Sequence, residues 1–133
     1  MEANRAQKLK PGHKYEQYFT APLWEDRLQR EDASVQHSID YIARRAHQVR
    51  GQVRRIARLL KGESVRQSCR NLFDFILEHI AYERDEWGKE QVKDPVRLWA
   101  DRKGDCDCYT LFISACLLEL SIPHLLRVTG YTS

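Results

Sequence analysis

The sequence predicts an α+β domain, mainly helical, with a central cysteine-bearing helix followed by one C-terminal strand of an incomplete antiparallel sheet. Three observations predict it. Apolar residues recur in steps of three and four from Val35 to Leu60. Residues 106–120 are apolar nearly all round, as in a helix buried on several sides. Residues 124–131 alternate and are β-prone. The 133 residues suffice for one domain and fall short of two.

Residues 1–33 read as an irregular leader. Pro11-Gly12 signals a turn and Pro22 interrupts any helix. Tyr15, Tyr18, Phe19, Leu23 and Trp24 make it too aromatic for a free tail, so it should pack on the domain, residues 34–133. One long helix is expected from Ser34 to Lys61, with Val35, Ile39, Ile42, Ala46, Val49, Val53, Ile56 and Leu60 as a near coiled-coil seam. Gly62 stops it, and Gly51 costs roughly 1 kcal/mol inside it, a place for a kink.

Ser64 and Gln67 form a capping box. The helix they open carries Val65, Cys69, Leu72, Phe73, Ile76 and Ile80 on one face and should end near Tyr82. Residues 83–93 are mostly charged and read as an exposed loop. Asp94-Pro95 opens a short helix through Trp99. Gly104-Asp105-Cys106 is a turn, and the apolar helix Cys106–Leu120 follows until Ser121-Ile122-Pro123 ends it. His124 to Tyr131 should be a strand. One strand cannot satisfy its own backbone groups, so its partners must come from another chain or from a longer parent protein.

No apolar run approaches the ~20 residues of a membrane helix, and Met1 to Pro11 lacks the apolar stretch of a secretory signal. These features predict a cytoplasmic protein, with no membrane partner, whose four cysteines are thiols. A net charge of +3 is too small to imply an anionic partner by itself.

The chemistry concentrates at Cys106. A cysteine in the first turn of a helix meets free amides and the positive end of the helix dipole, which favour a thiolate. The same amides can hold an oxyanion. Asp105 and Asp107 act against this, because their charges raise the thiol pKa, so a histidine partner matters.

The ordered set Tyr82, Asp94-Pro95, Gly104-Asp105-Cys106-Asp107-Cys108, Leu117 to Pro123 and Thr129-Gly130-Tyr131 resembles the transglutaminase-like superfamily, in its N-terminal half, over roughly residues 64–131. The resemblance implies a papain-like fold and a thiol hydrolase or cysteine protease activity on amide or peptide bonds, with a protein or peptide substrate. It carries over one catalytic residue, Cys106. The family's histidine and aspartate follow on later strands and have no counterpart here, so this chain alone should be inactive or nearly so. Two positions depart from the family pattern: Ser121 stands where glycine is usual before Ile-Pro, and Leu125 where arginine is common.

Trp87, Trp99 and Asp105 are candidate binding residues beside Cys106, as aromatic side chains often line clefts. The two tryptophans read equally well as structural. Cys69 and Cys116 read as core residues. Cys106 and Cys108 with His79 or His124 offer soft metal ligands, but one intervening residue is too few for a usual pair, and no metal or other cofactor is expected. His124 should lie far from Cys106, and His79 reads as a surface residue at a helix end. Residues 41–62 hold Arg44, Arg45, Arg50, Arg54, Arg55, Arg58 and Lys61 without an acid. Arg54, Arg55 and Arg58 are thus candidates for binding nucleic acid or an acidic protein, the alternative function being a non-catalytic binding module. A homo-oligomer is a further expectation, through the unpaired C-terminal strand or the 35–60 seam.

Overall fold

The computed structural model describes residues 7–22, 27–31, 35–84 and 89–127. Among the described residues five helices carry the fold: α1 (Val35–Gln48), α2 (Arg50–Leu60), α3 (Val65–His79), α4 (Pro95–Asp101) and α5 (Cys106–Glu119). Short strands β1 (Arg27–Glu31), β2 (Ala81–Tyr82), β3 (Lys89–Lys93) and β4 (Lys103–Gly104) join them, and a 3₁₀ helix spans His13–Tyr18. The architecture is α+β and mainly helical, as the sequence predicts.

The long seam exists, but in two pieces. Val49 leaves helical geometry (φ −101°, ψ 10°), two residues before Gly51, and separates α1 from α2. A straight helix drifts off a 3.5-residue repeat by about 20° per heptad. The break lets both halves bury their stripe: Ile42, Ala46 and Val49, then Val53, Ile56 and Ala57. The seam is consumed inside the chain, where α1 and α2 both pack on α5.

Ser64 caps α3 by accepting from the Gln67 amide at 3.0 Å. The helix stops at His79, earlier than expected, because residues 81–82 leave it to pair in parallel with residues 103–104. Its buried side is Ser68, Leu72, Phe75, Ile76 and His79. Val65, Cys69 and Phe73, read as core from their spacing, face outward.

The charged stretch 83–93 is not one exposed loop. Residues 89–93 form β3, antiparallel to β1 of the leader in the register Arg27↔Lys93 to Glu31↔Lys89. Val92 and Lys93 are buried. Lys93 Nζ is compensated by Asp101 at 3.1 Å and by the Lys103 carbonyl at 2.8 Å, as a buried charge must be. The leader therefore contributes a strand as well as a strap. Tyr15, Tyr18 and Phe19 pack on the core, and Phe19 stacks on Trp99 with centroids 4.8 Å apart. Leu23 and Trp24 lie outside the described residues.

Helix α5 is the centre. It touches α1, α2, α3, α4, β3 and β4 and buries Cys108, Tyr109, Leu111, Phe112, Ser114, Ala115, Cys116 and Leu117. It ends in a Schellman motif: the Ile122 amide bonds the Leu117 carbonyl at 2.8 Å, and the Ser121 amide that of Leu118 at 3.0 Å. Residues 122–127 then run without strand pairing, so the expected strand is absent from 124–127. Its remainder, 128–131, lies outside the described residues.

Candidate functional site

Gly104 sets the approach to the site. A Cβ there would meet Leu98 Cδ1 at 2.6 Å and Cys108 Cβ at 2.9 Å, so a side chain would wedge α4 from the start of α5. Asp105 follows as the N-cap, its carboxylate accepting from the amides of Asp107 (3.0 Å) and Cys108 (3.3 Å). Cys106 is the first helical residue and is exposed.

The helix start is therefore already charged. Burial first, then Asp107 and Asp105, push the Cys106 thiol above its ordinary pKa. Its Sγ lies 3.8 Å from Asp107 Oδ1, a contact that favours the protonated form as donor. Two interactions oppose this: a hydrogen bond with the Tyr82 hydroxyl and one from the cysteine's own amide. The resting thiol is protonated at neutral pH.

Tyr82 reaches the thiol because β2 pairs with β4 in the register Tyr82↔Gly104. It packs edge-on to Tyr109, centroids 5.7 Å apart, and Tyr109 donates to the Ile80 carbonyl at 2.6 Å. Gln7 Oε1 accepts from the Tyr82 amide at 3.0 Å. The sequence carried Tyr82 only as part of the family-like set. Its place beside the thiol follows from a two-residue parallel pairing that leaves no periodicity to read.

Cys108 is a different kind of cysteine. It is buried, 3.5 Å from both the Lys93 amide and the Gln91 carbonyl, and burial above all pushes its thiol up to about 12. Burial also raises Cys116, a core residue as expected, whereas Cys69 is exposed. Among the described residues no three His, Cys, Asp or Glu side chains gather as a metal site.

Other candidate residues do not join Cys106. Trp99 is not a groove residue: it is buried between Phe19 and Phe75, with Arg102 over its ring at 4.7 Å. Trp87 lies outside the described residues. Asp105 acts as the helix cap. Arg54 and Arg58 share the Glu119 carboxylate with Arg50, at 3.1, 3.9 and 3.4 Å. Arg55 lies over Tyr18 at 5.3 Å and donates to the Gln17 carbonyl. These arginines make tertiary contacts that the sequence could not foretell.

No imidazole among the described residues bonds Cys106. His124 is held by Ser114 at 2.6 Å, about 12 Å along α5 from the thiol. His79 is buried against Tyr15, Phe75 and Trp99 rather than on the surface. Two clefts, of about 370 and 400 Å³, open elsewhere, one between the 3₁₀ helix and α2, the other beside His124, and Cys106 lines neither. Among the described residues no helix is long and apolar enough to cross a membrane. No family model, curated protein or solved structure matches this chain.

Proposed function

We propose that this chain carries the nucleophile of a transglutaminase-like thiol hydrolase acting on amide or peptide bonds. The observation that supports it is the position of Cys106: an exposed thiol on the first residue of the central, otherwise buried helix, with a tyrosine hydroxyl against it.

In this reading the Cys106 Sγ bonds to the substrate carbonyl carbon, and the C–N bond then breaks to give a thioester and an amine. Water hydrolyses the thioester to a carboxylic acid and restores the thiol. The amides of Asp107 and Cys108 are committed to Asp105. The Cys106 amide and the Tyr82 hydroxyl remain as donors to a developing oxyanion. The proton of the raised thiol needs a base. In a transglutaminase-like hydrolase a histidine oriented by an acid serves as that base, and among the described residues no imidazole bonds Cys106. The test is hydrolysis of peptide amides by the full protein, wild type against Cys106→Ala. Loss of hydrolysis supports the reading, and unchanged hydrolysis overturns it.

A second reading rests on a different observation: three guanidiniums converge on one carboxylate at Glu119. That leaves the α2 surface cationic, as a module binding nucleic acid or an acidic protein requires. It predicts salt-sensitive binding that weakens when Arg54, Arg55 and Arg58 become alanine. Binding indifferent to that change would refute it.

A further inference from the structure

Helix α3 has more apolar surface than the core uses. Val65, Cys69, Phe73 and Leu77 repeat every four residues along it. All four are exposed: Val65 by 60%, Phe73 by 49%, Leu77 by 37%, and Cys69 as a free thiol. Leu9 of the strap, also exposed, continues the stripe beside Leu77, where Lys10 bonds the Glu78 carbonyl. Contiguous exposed apolar surface of this kind marks an interface.

The charges beside the stripe say what covers it. Arg66, Arg70, Asp74 and Glu78 each follow one stripe residue, so they form one flank, basic in its first half and acidic in its second. Arg70 precedes Asp74 by one turn, the less favourable order for an intrahelical pair, and among the described residues the two make no ion pair.

We propose that α3 is an isologous dimerisation surface on which a second copy of this chain lies antiparallel. A two-fold axis at Asn71 sets Val65 against Leu77 and Cys69 against Phe73 of the other copy. The same axis leaves Arg70 of each copy about 3 Å along the helix from level with Asp74 of the other, an offset two side chains span, and it does so twice; Glu78 is already held by Lys10 at 3.0 Å. An isologous interface must be self-complementary in this way. An antiparallel two-fold keeps this flank on one side of the seam in both copies, so its basic half meets the other copy's acidic half; a parallel two-fold sends the two flanks to opposite sides and leaves their charges unpaired. One helix face buries less than a standard interface of ~1,600 Å², so the dimer dissociates on dilution.

The experiment is sedimentation velocity over a concentration series up to about 1 mM, with far-UV circular dichroism to confirm folding. The wild type should show a reversible monomer–dimer equilibrium. Phe73→Glu should be monomeric throughout. Arg70→Glu and Asp74→Arg should each weaken association by about ten-fold, and the double swap should restore it. Cys69 is two residues from the axis, so its two copies are roughly 10–12 Å apart, within reach of a short bismaleimide. Cross-linking should run through Cys69 and survive Cys106→Ser. A wild type monomeric at every concentration overturns the proposal. So does a dimer that survives Phe73→Glu, or a double swap that fails to rescue.

Discussion

Arg45 of α1 grips Asp94 in a two-point ion pair, Nε to Oδ1 at 3.0 Å and Nη2 to Oδ2 at 2.5 Å, with the carboxylate fully buried. Asp94 occupies the N-cap position of α4 yet makes no capping bond. The carboxylate pairs with a neighbouring helix instead of closing its own. Breaking a buried pair leaves an uncompensated charge, which costs about 3–5 kcal/mol. Arg45→Ala should lower unfolding stability by that order in a denaturant titration. Arg45→Met with Asp94→Leu should recover most of the loss, since the charge goes too.

Ser121 has φ 58°, the left-handed conformation that closes α5. Glycine takes it without the penalty other residues meet. Ser121→Gly should stabilise the protein by about 0.5–1 kcal/mol, seen as a higher midpoint in thermal unfolding.

Burial, then the carboxylates of Asp107 and Asp105, raise the Cys106 thiol pKa. Asp107→Asn should therefore lower the thiol pKa and speed iodoacetamide alkylation at pH about 7, by up to ~ten-fold, as the thiolate fraction rises. Asp105→Asn should act in the same direction with little loss of stability, because asparagine also caps well. Peptide mapping by mass spectrometry should follow Cys106 against exposed Cys69, with Cys108 and Cys116 unlabelled in the native state.

Burial, then the Arg102 charge, pulls the His79 pKa below its ordinary value. Below pH about 6.5 the unfolded chain binds a proton that the folded chain resists. The contribution of neutral His79 is thus intact above about 6.5 and lost as pH falls from there to the folded pKa. Denaturant unfolding at a pH near 7.5 and at one near 5.5 should show the loss, and His79→Phe should flatten it.

The helices are legible in local sequence alone. Their stripes, the Ser64 cap, the proline start of α4 and the all-apolar Cys106 helix are patterns among residues three and four apart. Cys106 is legible as the candidate nucleophile for the same reason, since helix-start chemistry is local too. Whatever needs a distant partner came from packing instead. The strand at 89–93 exists because residues 27–31 lie beside it, and one valine among charges left no strand period to read. Half of the apolar arc on α3 is core and half is surface, a division made by neighbouring elements rather than by spacing. Trp99, His79, Arg54 and Arg58 took structural positions because aromatic stacking and a shared carboxylate bring together residues far apart in the chain. Tyr82 reached the thiol by the same route, through the pairing of two strands of two residues each.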